Sequence, residues 1–166
     1  MNILQVSNKV PYPPKDGGAI AILNLSLSYQ ILGQNVTLLA MNTNKHYINS
    51  SDIPNDIAEK IDFKFVDINT DIKPVKLIAN YFFSNTPYIA ERFINKDFKN
   101  SLISVLREKH FDIIQLEGLY LTPYISVIRE HSNAKIVYRA HNIENEIWQR
   151  IGKSSRSILK SVYAKS

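Results

Sequence analysis

The chain has 166 residues, 45% hydrophobic and 21% charged, a composition that can bury the core of one domain and is not that of a disordered segment. It contains no cysteine, which excludes a disulfide scaffold, a thiolate metal site and thiol catalysis. Of the net charge of +5, Lys153, Arg156, Lys160 and Lys165 supply four with no acid among them, and the other 150 residues hold 16 basic against 15 acidic groups, so no broad basic face for nucleic acid is expected.

The opening run, residues 2–7 (NILQVS), predicts a buried first strand with no basic leader before it. The loop that follows, 8–18, holds Pro11, Pro13 and Pro14 and ends in Gly17 and Gly18. A first helix is expected from there, with Ile20, Leu23, Leu27 and Ile31 on one apolar stripe and Gly33 just past its end. Residues 35–41 predict a second strand, 42–61 an irregular polar stretch with a helical turn near 56–60, and 62–68 a third strand.

Pro74 begins an apolar helix, and Thr86-Pro87 has the form of a cap followed by a first-turn proline. Phe98, Leu102, Val105 and Leu106 recur at helical spacing. A strand at 111–118, a helix at 119–131, a strand at 135–140 and a last helix capped by Asn142 complete the reading. Alternating strands and helices imply an α/β fold, a Rossmann-like open parallel sheet with helices on both faces. Ligands of such sheets sit beyond the carboxyl ends of the strands, which singles out loops 8–18, 117–120 and 139–146, with 42–49 as a weaker fourth.

These loops fit neither a dinucleotide fingerprint nor a phosphate-binding G-x-x-x-x-G-K motif. Gly17 and Gly18 at a helix N-terminus suit an approaching anion, and the plain alternative is a rigid turn. Glu117 after a buried strand can hold sugar or ribose hydroxyls or act as a base; the alternative is a capping or solvated acid. Of the four histidines, His141 is the functional candidate, His110 and His131 are expected at the surface, and His46 is undecided. No metal-ligand spacing and no nucleophile elbow occurs, so neither a metal site nor a serine hydrolase is expected.

Taken together, "PYPPKDGG", "GQNVTLL", "DIIQLEGLYLTPY" and "RAHNIENEIWQR" resemble, in order and spacing, the N-terminal half of glycosyltransferase family 4. These are retaining enzymes of the GT-B fold that use nucleotide sugars, many of them in bacterial cell-surface polysaccharide synthesis. The resemblance implies an acceptor-side Rossmann-like domain over 1–166, with the donor-binding domain beyond Ser166 or missing and the fragment alone inactive. It implies that Asp16, Gly17 and Gly18 form the loop near donor diphosphate and acceptor, and that His141 contacts the transferred sugar and is needed for activity. Glu117, Gly118, Tyr120, Arg139 and Asn142 would line the acceptor or sugar side.

The resemblance also implies a nucleotide sugar as co-substrate with no required metal, and a glycan or lipid-linked acceptor. A cytoplasmic protein is expected, with the basic tail and "KLIANYFF" compatible with peripheral contact at the inner membrane face. Two departures are Ala21, where the family often has a basic residue, and Gln34 in place of a histidine. The rival readings are a free-standing sugar- or nucleotide-binding module and a receiver-type regulatory domain. The latter lacks an acidic pair near the end of the first strand.

Overall fold

The computed structural model describes residues 1–71 and 91–140. The expectations for the helices from Pro74 and Thr86, and for the last helix with His141 and Asn142, lie outside the described residues.

Runs of Ile, Leu, Val and Met with few charges make strands that are apolar on both faces, the signature of a covered parallel sheet. The chain forms β1 (Asn2–Ser7), α1 (Gly17–Ile31), β2 (Asn35–Thr43), α2 (Asn55–Ala58) and β3 (Asp62–Ile68). It continues through α3 (Lys96–Glu108), β4 (Ile113–Glu117), a 3₁₀ segment (Leu119–Tyr124), α4 (Ile125–His131) and β5 (Lys135–Arg139). All four strand pairings are parallel, in the order β3-β2-β1-β4-β5. The fold is therefore the α/β, Rossmann-like sheet expected, and its strand order reverses direction between β1 and β4.

Helices cover both faces. On one, α3 and α4 bury Phe98, Leu102, Val105, Val127 and Ile128 against Leu4, Val6, Leu39, Met41 and Leu116. Asn95 caps α3 by accepting from the amides of Asp97 at 2.8 Å and Phe98 at 3.0 Å. On the other face, α1 lays Ile22 and Leu23 over Val36, Leu38 and Ala40. Gly33, with φ of +72°, ends α1 in the left-handed region that glycine tolerates.

Two expectations change. The stripe Ile20–Leu23–Leu27–Ile31 is only half buried: Leu23 is in the core and Leu27 packs against it, but Ile20 and Ile31 are 44% and 80% exposed, and Ala19, Ile22 and Ser26 face inward beside Leu23. The helix is apolar nearly all round, so periodicity cannot choose its face. The sheet beneath decides instead, because its polar Gln5 needs the Ser26 hydroxyl. The second strand also runs two residues longer than predicted, to Thr43, and the polar stretch after it contains two 3₁₀ turns besides α2.

Phe98 is completely buried and packs edge-on against Tyr124, with ring centroids 5.1 Å apart. Phe98→Ala is expected to destabilise the fold by about 3–5 kcal/mol, read as a lower urea midpoint at unchanged slope.

Candidate functional site

At the reversal point, the connections from β1 and β4 leave the sheet in opposite directions and open a crevice at its carboxyl edge. A cleft of about 180 Å³ lies there, lined by Asn8 and Lys9 after β1, Asp16, Gly18 and Ile22 of the α1 entry, Glu117 at the end of β4 with Gly118 to Tyr120 after it, and Tyr138 of β5. The structure thus brings Asp16, Gly18, Glu117, Gly118 and Tyr120 together around one space. Gly17 is at the first position of α1 but does not line the cleft, and Arg139 reaches the site through Glu117. His141 and Asn142 lie outside the described residues. His110 is exposed, as expected, whereas the His131 ring is half-buried with Nδ1 3.0 Å from the Val127 carbonyl.

The α1 entry is built around Asp16. Its carboxylate accepts from the Ala19 amide at 2.9 Å, and both its oxygens lie 2.6 Å from Lys9 Nζ. The Lys9 hydrogen bond and the Ala19 and Gly18 amides hold the carboxyl below its usual range, against a smaller effect of burial. A side-chain anion therefore already sits at the positive end of this helix. A Cβ on Gly18 would stand 3.3 Å from Asp16 Oδ1 and 3.5 Å from Lys9 Nζ, so that glycine makes room for the pair. Nothing lies within 4 Å of a Cβ on Gly17. Ser7 Oγ donates to the Lys9 carbonyl at 2.7 Å, which fixes the start of the loop.

Beneath the cleft runs a polar seam between α1 and the sheet. Gln5 and Gln115 are register partners on β1 and β4, and both are buried. Each is a relay: Gln5 accepts from the Ser26 hydroxyl and Gln115 from the Tyr29 hydroxyl at 2.8 Å, while both amide groups donate to Glu117 Oε1. Arg139 Nη1 donates to Glu117 Oε2 at 3.1 Å, and the Glu117 side chain is wholly buried. Burial pushes the Tyr29 phenol up, and the nearby Glu117 charge pushes it further while Arg139 opposes. Glu117 lines the cleft, but its carboxylate does not face the crevice as expected: it is wholly buried and engaged by Gln5, Gln115 and Arg139 rather than open as a base.

Gly118 has φ of +107° and donates its amide to the Arg139 carbonyl at 3.1 Å, turning the chain off the strand end. The Tyr120 ring stacks on Phe93, centroids 4.9 Å apart. Lys9, Asn8, Tyr138 and the seam residues Gln5, Ser26, Tyr29 and Gln115 were not singled out from sequence. The available signal was a glutamine at the centre of each of two apolar runs, NILQVS and DIIQLE. Among the described residues no cluster of three or more His, Cys, Asp and Glu could hold a metal. Among them also, no helix is long and apolar enough to cross a membrane. No protein-family model matches the chain, and no curated protein matches it.

Two outcomes follow. Asp16→Ala is expected to cost about 1 kcal/mol at neutral pH through loss of the cap. Because the carboxyl is held low in the folded state, its contribution is present above its ordinary value of 3.8 and fades as pH falls through the folded value, so wild type and variant should converge in acid. Arg139→Ala leaves the buried Glu117 charge without its cation and is expected to cost about 3–5 kcal/mol. Pairing it with Glu117→Gln should recover much of that loss, as measured by chemical denaturation.

Proposed function

We propose that residues 1–166 form the acceptor-side domain of a retaining glycosyltransferase of the GT-B type, moving a sugar from a nucleotide sugar to a glycan or lipid-linked acceptor. The observation that carries this reading is the cleft where the strand order reverses. It gathers Asp16, Gly18, Glu117, Gly118 and Tyr120, residues from two of the four motifs on which the resemblance rests, with Arg139 of a third bound to Glu117.

In this reading the Lys9–Asp16 pair and the α1 entry form a fixed wall beside the reacting groups. The Glu117–Arg139 pair holds the strand ends of β4 and β5 in place. Preorganised walls of this sort lower the barrier by positioning, without reorganisation during transfer. The sugar-contacting role falls to His141, on the resemblance alone. The work site is the cytoplasmic side of the cell envelope, with the acceptor presented at the membrane.

A second reading, a non-enzymatic sugar- or nucleotide-binding module, draws on a different observation. The charged side chains around the cleft are already paired with each other, Lys9 with Asp16 and Glu117 with Arg139, which suits holding a neutral polyol as well as it suits chemistry.

Hydrolysis of a panel of nucleotide sugars by the protein from its complete native reading frame separates the two. The transferase reading expects release of one nucleotide, reduced about 100-fold or more in His141→Ala. Absence of release from every donor, with sugar binding retained, would sink it in favour of the binding module.

A further inference from the structure

A second cleft, of about 230 Å³, lies at the carboxyl ends of β1 and β2, beside the first and sharing Lys9 and Asp16 with it. Its walls come from the proline loop (Tyr12, Pro13, Lys15) and from the turn after β2 (Lys45, His46, Tyr47), over a floor that includes the buried Val10 and Ala19.

The charge balance of this space is one-sided. Among the described residues Asp16 is the only acid lining it, and both its oxygens are bound to Lys9. Lys15 and Lys45 are then left without a carboxylate partner among the described residues, and His46 stands beside them. Two phenol rings, Tyr12 and the 57%-exposed Tyr47, complete the lining.

The lysine-bearing turn is anchored from within the core. Asn42 is 3% exposed; it donates to the Ile48 carbonyl at 2.9 Å and accepts from the Ile48 amide at 3.1 Å, closing the turn from both sides. The same amide group donates to Asp67 at 2.8 Å, and Asn44 ties the turn to Asp71 and Thr70. On the other wall, the proline loop is packed through half-buried Tyr12 onto the α1-side core. The two cationic walls therefore meet across a space whose backbone is set before a ligand arrives, which lowers the cost of ordering it.

We propose that this second cleft binds an anionic saccharide, a sugar ring bearing a carboxylate or phosphate, with the anion between Lys15 and Lys45 and the ring against Tyr12 and Tyr47. Ammonium groups supply charge and multiple donors for an oxyanion, and tyrosine supplies a flat apolar face with a polar tip for a ring. The volume falls below the ~300–1,000 Å³ of sites for drug-sized ligands, which fits one ring and its substituent rather than a whole nucleotide sugar. The near-balanced charge of the first 150 residues argues against a nucleic-acid track. On the transferase reading, this is the acceptor's anionic residue, held one step from the transfer cleft. That identification rests on the reading, while the binding itself does not.

The test is calorimetric titration of the protein with three probes: a glucuronate-terminated disaccharide, glucose 1-phosphate and neutral maltose, with inorganic phosphate as a fourth arm. A charged saccharide should bind well above maltose and above phosphate, more weakly as salt rises. Lys15→Ala and Lys45→Ala should each weaken it about fivefold, and Tyr47→Ala should weaken the saccharide but not phosphate. The two charged probes separate a carboxylate from a phosphate source.

All the substituted residues are exposed, so thermal melts should be unchanged. Equal affinity for maltose, equal affinity for inorganic phosphate, no binding by any probe, or indifference to both lysine substitutions would each overturn the proposal. None of these outcomes bears on nucleotide-sugar hydrolysis, so the transferase reading stands or falls separately.

Discussion

Burying the Glu117 carboxylate fully in a parallel sheet demands compensation from several elements at once, and the junction of β1 and β4 is organised to provide it. β1 contributes Gln5, β4 contributes Gln115 and β5 contributes Arg139, while α1 sends hydroxyls to both glutamines. An unpaired charge at such depth costs several kcal/mol, so the network is costly to leave half-made. It therefore fixes more than one residue. It sets which face of α1 turns inward, the register of β4 on β1 and the lateral position of β5. The cleft above inherits its shape from these constraints.

The Lys9–Asp16 pair plays a related part at the surface. It caps α1, neutralises the one acid among the described residues that lines both clefts, and stands as the partition between them. One cleft then presents a paired, nearly neutral wall and the other a surplus of ammonium groups. The difference in character between the two spaces arises from a single hydrogen-bonded pair.

The succession of strands along the chain was legible from sequence because most of them are short apolar runs bounded by turn residues; their order in the sheet was not, because it depends on pairings between distant segments. The α3 core positions Phe98, Leu102, Val105 and Leu106 were equally plain, since that helix has one apolar and one charged face. The inward face of α1 was not legible. Ile20 and Ile31 are as apolar as Ile22, and only the glutamine beneath the helix selects among them. At the site, Glu117 and Gly118 could be located from their place at a strand end and Gly18 from its place at a helix start. The engagement of Glu117 could not, because it depends on side chains 112 positions away in sequence. Lys9 was overlooked for a similar reason: it looks like a loop charge until Asp16, seven residues on, is folded back against it.

The central strand of the sheet is also the first of these five strands to be synthesised. β1 is flanked by β2, about thirty residues later, and by β4, with the Asn2 side chain bonding the His110 carbonyl across a separation of 108 residues. During translation β1, α1 and β2 can assemble as a unit while the other edge of β1 stays open. That edge includes Gln5, whose partners on β4 have not yet been made. A strand with its backbone groups exposed is a template for wrong pairing. The buried polar seam gives β1 a discriminating edge, since a purely apolar intruder would leave the glutamine unsatisfied. The same side chains that shape the cleft thus also disfavour an apolar strand in the place of β4 beside β1.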